Sequence, residues 1–156
     1  MKQRIEITII VSLLCLCSTL LPAADWPFFR GDELATAAVK EELPAEMDVV
    51  WKHTLPDSGY EATAVIVEGI VYIGDVDGTF YAYRLSDGSE VWKKKFDNSG
   101  FLAGAAFHEN RLYVGDFNGV IRALEAKDGK ELWQYQAKGE SYAAPNVVDG
   151  RVLATT

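Results

Sequence analysis

Between residues 62 and 96 apolar residues fall in short runs, each ended by a turn-forming pair. Residues 62–67 are apolar and stop at Glu68-Gly69. Residues 70–74 follow and give way to Asp77-Gly78. Residues 79–85 end at Asp87-Gly88, and residues 90–96 close the set. Runs rich in β-branched and aromatic side chains, bounded by Gly, Asn and Asp, predict strands. Asp77-Gly78, and Asn118-Gly119 further on, are the dipeptides of a two-residue hairpin whose central residues both take positive φ. The expected unit is a four-stranded antiparallel meander. Its third strand is apolar on both faces, with Phe80 and Ala82 on one and Tyr81 and Tyr83 on the other, so the sheet must be covered on both sides. The fourth strand carries Lys93, Lys94 and Lys95, as suits an outer edge where Lys discourages edge-to-edge pairing.

The unit repeats. Trp51, Trp92 and Trp133 are spaced by 41 and again by 41 residues. The same shift carries Ala62 onto Ala103 and Ala144, Gly74-Asp75 onto Gly115-Asp116, Gly78 onto Gly119, and Ala82 onto Ala123. It also carries Asp87-Gly88 onto Asp128-Gly129 and Glu90 onto Glu131. Four-stranded units of about 40 residues, each covered on both faces by its neighbours, describe an all-β fold, the β-propeller built of antiparallel blades. Residues 61–97 are expected to form one blade, 102–138 a second, and 141–156 the first half of a third. Residues 48–56 match only a fourth strand, which would close the last blade of a ring. A ring of about six to eight such blades needs roughly 250 to 330 residues, so the chain reads as an N-terminal fragment. Residues 25–47 lack strand alternation and read as a surface arm, with a helical turn over residues 33–42.

The start of the chain adds a different signal. Lys2 and Arg4 precede an apolar run over residues 7–21, followed by Leu21-Pro22-Ala23-Ala24. A basic start, a short apolar core and small residues at its end predict a secretory signal peptide over 1–24. Cys15 and Cys17 both lie inside it, so the mature chain would hold no disulfide and no thiolate metal site. The chain carries 15 basic and 23 acidic residues, a net charge of −8. That argues against a nucleic-acid partner and against an anionic membrane surface, both of which need a basic face. An exported chain, periplasmic or extracellular, with no membrane span after signal removal, is the expectation.

Two 11-residue stretches carry the most specific pattern: residues 82–92 from Ala82 through Gly88 to Trp92, and residues 123–133 from Ala123 through Gly129 to Trp133. With Val71-Tyr72-Ile73-Gly74 and Leu112-Tyr113-Val114-Gly115, they resemble the tryptophan-docking motif of pyrroloquinoline-quinone (PQQ) type propeller repeats. In that family Ala opens the motif, Gly is seventh and Trp eleventh. Asp87 and Asp128 stand where the family usually has Thr, and Arg84 and Glu125 where it usually has Asp. Trp51 has no motif before it. The opening 26–31, Trp-Pro-Phe-Phe-Arg-Gly, is similar to the start of exported bacterial proteins built of these repeats. The resemblance implies that each indole ties one blade to the next. Trp51, Ala82, Gly88, Trp92, Ala123, Gly129 and Trp133 are therefore expected to be structural, and Asp77, Gly78, Asn118 and Gly119 to form hairpin turns.

Candidate chemistry is sparse. Enzymes of the family hold PQQ with a Ca²⁺, a catalytic Asp and often a disulfide between adjacent cysteines. No adjacent Cys pair exists here, and no Asp matches the catalytic one. Asp75-Val76-Asp77-Gly78 and Asp116-Phe117-Asn118-Gly119 look like Ca²⁺ loops but lack a third oxygen ligand ahead of the Gly. His53 and His108 are single and not equivalent under the repeat. No catalytic or metal residue is expected in this segment, and PQQ or calcium only if further blades supply a site. The reading is a binding or scaffolding module of the bacterial envelope, akin to the BamB-like proteins, whose partner is a protein or envelope component together with the remaining blades of a longer chain. Whether the whole protein is an enzyme stays open; the alternative is the N-terminal part of a PQQ-dependent dehydrogenase.

Overall fold

The computed structural model describes residues 24–38 and 45–156. Residues 1–23 of the expected signal peptide and 39–42 of the expected helical turn lie outside them. Ten strands run in chain order: β1 (Val65–Val67), β2 (Ile70–Gly74), β3 (Thr79–Arg84), β4 (Glu90–Lys95), β5 (Ala106–His108), β6 (Arg111–Gly115), β7 (Val120–Glu125), β8 (Glu131–Gln136), β9 (Asn146–Val148) and β10 (Arg151–Leu153). They form two four-stranded antiparallel sheets, β1-β2-β3-β4 and β5-β6-β7-β8, and a two-stranded sheet of β9 and β10. Among the described residues there is no helix. The all-β propeller architecture expected from the repeat is what the chain adopts. Successive blades contact through their first strands, β1 to β5 and β5 to β9, which therefore mark the axial side.

The two-sided apolar pattern sets the packing. One face of blade 1 meets blade 2 through Val65, Tyr72, Phe80 and Ala82 against Leu112, Val114 and Leu124. The same face of blade 2 presents Tyr113 and Ala123 to Val147 of β9. The opposite face of blade 1, with Val71, Tyr81 and Tyr83, is covered by Trp51, Leu55 and Tyr60. Burying an aromatic side chain as fully as Phe80, 1% exposed, stabilises by about 2 to 3 kcal/mol. β4 and β8 stay mostly exposed, in line with their place at the outer edge.

Several boundaries differ from the sequence reading. The first strand of each blade is only three residues long, because residues 62–64, 103–105 and 143–145 run between blades without a ladder partner. Residues 48–56 form no strand, since a strand requires a neighbour to bond with and none lies beside them among the described residues. The 25–47 segment is no surface arm at its start: Phe28 is 6% exposed and packs with Ala106, Tyr113 and Val147. Residues 33–38 form a turn and an irregular run, with Ala35 (φ 53°) and Ala37 (φ 54°) left-handed, in place of a helix.

The hairpins also differ in type. Asp77-Gly78 and Asn118-Gly119 are not two-residue turns with both φ positive. Only Gly78 (φ 88°) and Gly119 (φ 77°) are left-handed. Asp75 N–H donates to Thr79 O and Gly78 N–H to Asp75 O, which makes a three-residue loop ending in a left-handed Gly. The carboxylate of Asp75 decides this, by accepting from Asp77 N–H and Thr79 N–H at 3.0 and 2.7 Å. The tight turns with both φ positive are instead Glu68-Gly69, Glu109-Asn110 and Asp149-Gly150. Their positions expose a one-residue deletion. Val67, His108 and Val148 each precede the turn, so the second step is 40 residues where the first is 41. Phe96 and Ala137 still match at 41, donating to Gly78 O and Gly119 O, which places the deletion after Ala137.

Candidate functional site: the docked indoles and the buried carboxylates

The motif residues assemble between blades. Ala82 pairs with Trp92 across β3 and β4, and Ala123 with Trp133 across β7 and β8. Both alanines are fully buried. Trp92 passes over its own Ala and docks on the Gly of the next motif. Trp92 Nε1–H donates to Ala126 O at 2.8 Å, and its ring lies 2.7 Å from where a Cβ on Gly129 would sit. Trp51 does the same one blade earlier, donating to Leu85 O at 2.7 Å with its ring 2.7 Å from a Cβ position on Gly88. Both contacts span 34 residues from indole to carbonyl. Gly88 (φ 70°) and Gly129 (φ 68°) are left-handed, so glycine serves there both for backbone freedom and for the closeness of the ring. Trp133 has no such turn against it among the described residues and is 41% exposed. It borders an open hollow of about 500 Å³ with Ile121, Tyr135 and Val152.

Asp75 and Asp116 are the buried carboxylates of the described blades. Beyond the two backbone donors of its hairpin, Asp75 accepts from Tyr81 Oη–H at 2.9 Å. Asp116 likewise accepts from Asn118 N–H and Val120 N–H, and its other oxygen takes Ser99 Oγ–H at 2.7 Å and Arg122 Nη1–H at 2.6 Å. Arg122 occupies in blade 2 the position of Tyr81 in blade 1. Its guanidinium lies 4.9 Å from the Phe96 ring centroid, a cation–π contact. Its Nε sits 3.3 Å from Glu131 without the angle of a hydrogen bond. Sequence reasoning saw these aspartates only as failed calcium loops. Their recurrence at one repeat position was the signal that they serve each blade.

A cluster of rings covers the other face of blade 1. Tyr83 stacks on His53 at 4.2 Å and on Tyr81 at 5.5 Å, and its hydroxyl meets that of Tyr60 at 3.1 Å. His53 Nε2 lies 2.8 Å from Gly88 O. Burial, with the Asp75 carboxylate beside it, pushes the Tyr81 phenol up to about 12. Burial raises Tyr83 further in the same direction, helped by the Tyr60 hydroxyl. His108 lies apart from His53, at the end of β5. No group of three His, Cys, Asp or Glu side chains gathers to hold a metal among the described residues.

Docked indoles between four-stranded blades define the class: a PQQ-like β-propeller. The chain belongs to the family described as outer membrane protein assembly factor BamB, whose pattern matches residues 44–103 and again 97–156. No curated protein matches the chain. Among solved structures it is similar to the quinohemoprotein alcohol dehydrogenase of Comamonas testosteroni, at 26% identity over 83% of this chain and 22% of that one, with a TM-score of 0.70. It is similar in fold to BamB of Moraxella catarrhalis, at 23% identity over 69% of this chain and 34% of that one, TM-score 0.61. The computationally designed Ika8 protein shares the fold at 23% identity over 58% of this chain and 28% of that one, TM-score 0.52. The chain spans between 22% and 34% of the length of these structures.

Proposed function

We propose that the chain is part of an exported β-propeller that binds or scaffolds other components of the bacterial envelope, and that this segment performs no catalysis. The observation that carries the reading is that Asp75 and Asp116 are buried and already hydrogen-bonded on both oxygens. A general base or metal ligand must offer an oxygen to the reacting group. These carboxylates spend theirs on hairpin amides, Tyr81, Ser99 and Arg122. A Ca²⁺ ion would need the oxygens that Asp75 and Asp116 spend in this way, and a site for PQQ with Ca²⁺ is expected only from further blades. The signal-like start and the family's description as an outer-membrane assembly factor favour export to the periplasm or beyond. No helix among the described residues is long and apolar enough to cross a membrane. The net charge of −8 favours a protein partner over nucleic acid. Further blades of a longer chain would cover Trp133.

A second reading, the N-terminal part of a PQQ-dependent dehydrogenase, is favoured by the 26% identity to the quinohemoprotein enzyme. Equilibrium dialysis of the full-length protein against PQQ with Ca²⁺ separates the two. The scaffold reading expects no saturable uptake. Stoichiometric binding at micromolar PQQ, with dye-linked oxidation of an alcohol, would overturn it.

A further inference from the structure

The opening run 26–31 was left unexplained by the repeat, and the structure gives it work along the axial side. In an antiparallel ladder opposed residues alternate between bonded and non-bonded pairs. The tight turn Glu68-Gly69 closes on the pair Val67 and Ile70, so Ile66 next to it points its N–H and C=O away from β2. Trp26 meets both: Trp26 N–H donates to Ile66 O at 2.6 Å, and Ile66 N–H to Trp26 O at 3.0 Å. Phe107 holds the same place in blade 2, opposite Leu112, and its N–H donates to Pro27 O at 2.8 Å. Pro27 has no N–H that would need a partner there. In blade 3 the matching amide, Val147 N–H, is taken by Asn146 Oδ1 at 2.8 Å, and the strap is met by a side chain instead, Asn146 Nδ2–H donating to Glu33 O at 3.0 Å. Asp25 adds an acceptor for Glu68 N–H at 2.9 Å. Phe28 is sunk among Ala106, Tyr113 and Val147, at the junction of blades 2 and 3. Gly31 (φ 92°) turns the chain back beneath Trp26, whose ring lies 2.9 Å from a Cβ position there.

We propose that residues 25–33 are an axial strap that bonds to the inner edges of blades 1 and 2, anchors on blade 3 through Phe28 and Glu33, and occupies in cis backbone groups of the first two blades to which an extended peptide would otherwise add. An innermost strand with free N–H and C=O groups is a template for strand addition. The strap closes it over blades 1 and 2. Partner binding is thereby directed to the loops and outer faces and away from the inner edges of these two blades. This inference stands whether the whole protein is a scaffold or an enzyme.

Residue-resolved hydrogen exchange on the full-length protein tests it. The amides of Ile66 and Phe107 should be protected at least 100-fold over unstructured rates, because strap and blade must separate before they exchange. Phe28→Ala should lower protection at both sites at least tenfold, and Phe28→Leu by less in the same pattern. Phe29→Ala should leave both unchanged, since Phe29 is 50% exposed in the same turn. The β6–β7 ladder is the internal reference. Unprotected Ile66 and Phe107 amides in the unmodified protein would overturn the strap. So would equal effects of Phe28→Ala and Phe29→Ala. Should Phe28→Ala unfold the protein, the unmodified protein and Phe28→Leu still decide the matter.

Discussion

Trp92 and Trp133 occupy the same register of successive blades, each opposite a buried alanine, yet they end in different surroundings. Trp92 is clamped by Ala126 O and the turn at Gly129. Trp133 leans on Tyr113 at 6.0 Å and is otherwise open. The pairing of Ala with Trp is thus internal to a blade, and docking is a property of two blades. An indole in this fold acts as a latch whose catch lies 37 residues further on, as Trp92 and Gly129 show.

The largest expected effect breaks the latch. In the described chain Trp92→Ala should cost about 3 to 5 kcal/mol, from lost burial and a cavity beside Phe80 and Tyr72. Trp133→Ala, which vacates no closed site, should cost about 1 kcal/mol or less. Urea unfolding of the two variants side by side measures the difference; equal losses would mean that docking adds nothing to the intrablade pairing.

The catch can be tested separately. Gly129→Ala suffers both a left-handed backbone and a methyl pressed against the Trp92 ring, and should cost about 2 to 4 kcal/mol. Gly150→Ala shares the positive φ (70°) but meets nothing within 4 Å, so it should show only the backbone strain of about 1 to 2 kcal/mol. The gap between the two, read from the same denaturant series, isolates the contact with the indole.

A smaller effect distinguishes the blades by pH. Tyr81, raised to about 12 from an ordinary 10.0, keeps its proton in the folded chain after the unfolded chain has released it. Its contribution is fully present below pH 10 and is lost as pH climbs toward 12. Blade 2 has Arg122 at this position and lacks that dependence. Urea midpoints measured from below pH 10 up to about 12 should fall, and Tyr81→Phe should flatten part of the fall. An unchanged slope in the variant would assign the loss to other groups.

Much of this architecture was legible along the chain because its causes are local and repeated. The Asp-Gly and Asn-Gly pairs, the two-faced apolar strands and the recurring Trp mark four strands per blade wherever they occur. Periodicity also disclosed which residues serve every blade. What local signals could not supply was the partner of each group. The type of the Gly78 and Gly119 hairpins depends on where the Asp75 and Asp116 carboxylates turn, and a carboxylate pointing inward has the same letter as one pointing out. The loss of one residue after Ala137 leaves the motif spacing intact and shows only in the offset of the next hairpin.

The sequence by itself determined the all-β class, the repeat, the strand order within a blade and the identity of the latch residues, since each follows from side-chain alternation and turn chemistry within about 40 residues. Tertiary structure alone decided which carbonyl and which glycine receive a docked indole, that Asp116 is answered by Arg122 and Ser99, and that the opening segment bonds to the inner edges of blades 1 and 2 and reaches blade 3 through Phe28 and Glu33. Those pairings join groups up to 113 residues apart, as Asn146 and Glu33 are. Their free energy comes from burial and from satisfying backbone groups in a space that exists only once the blades have stacked.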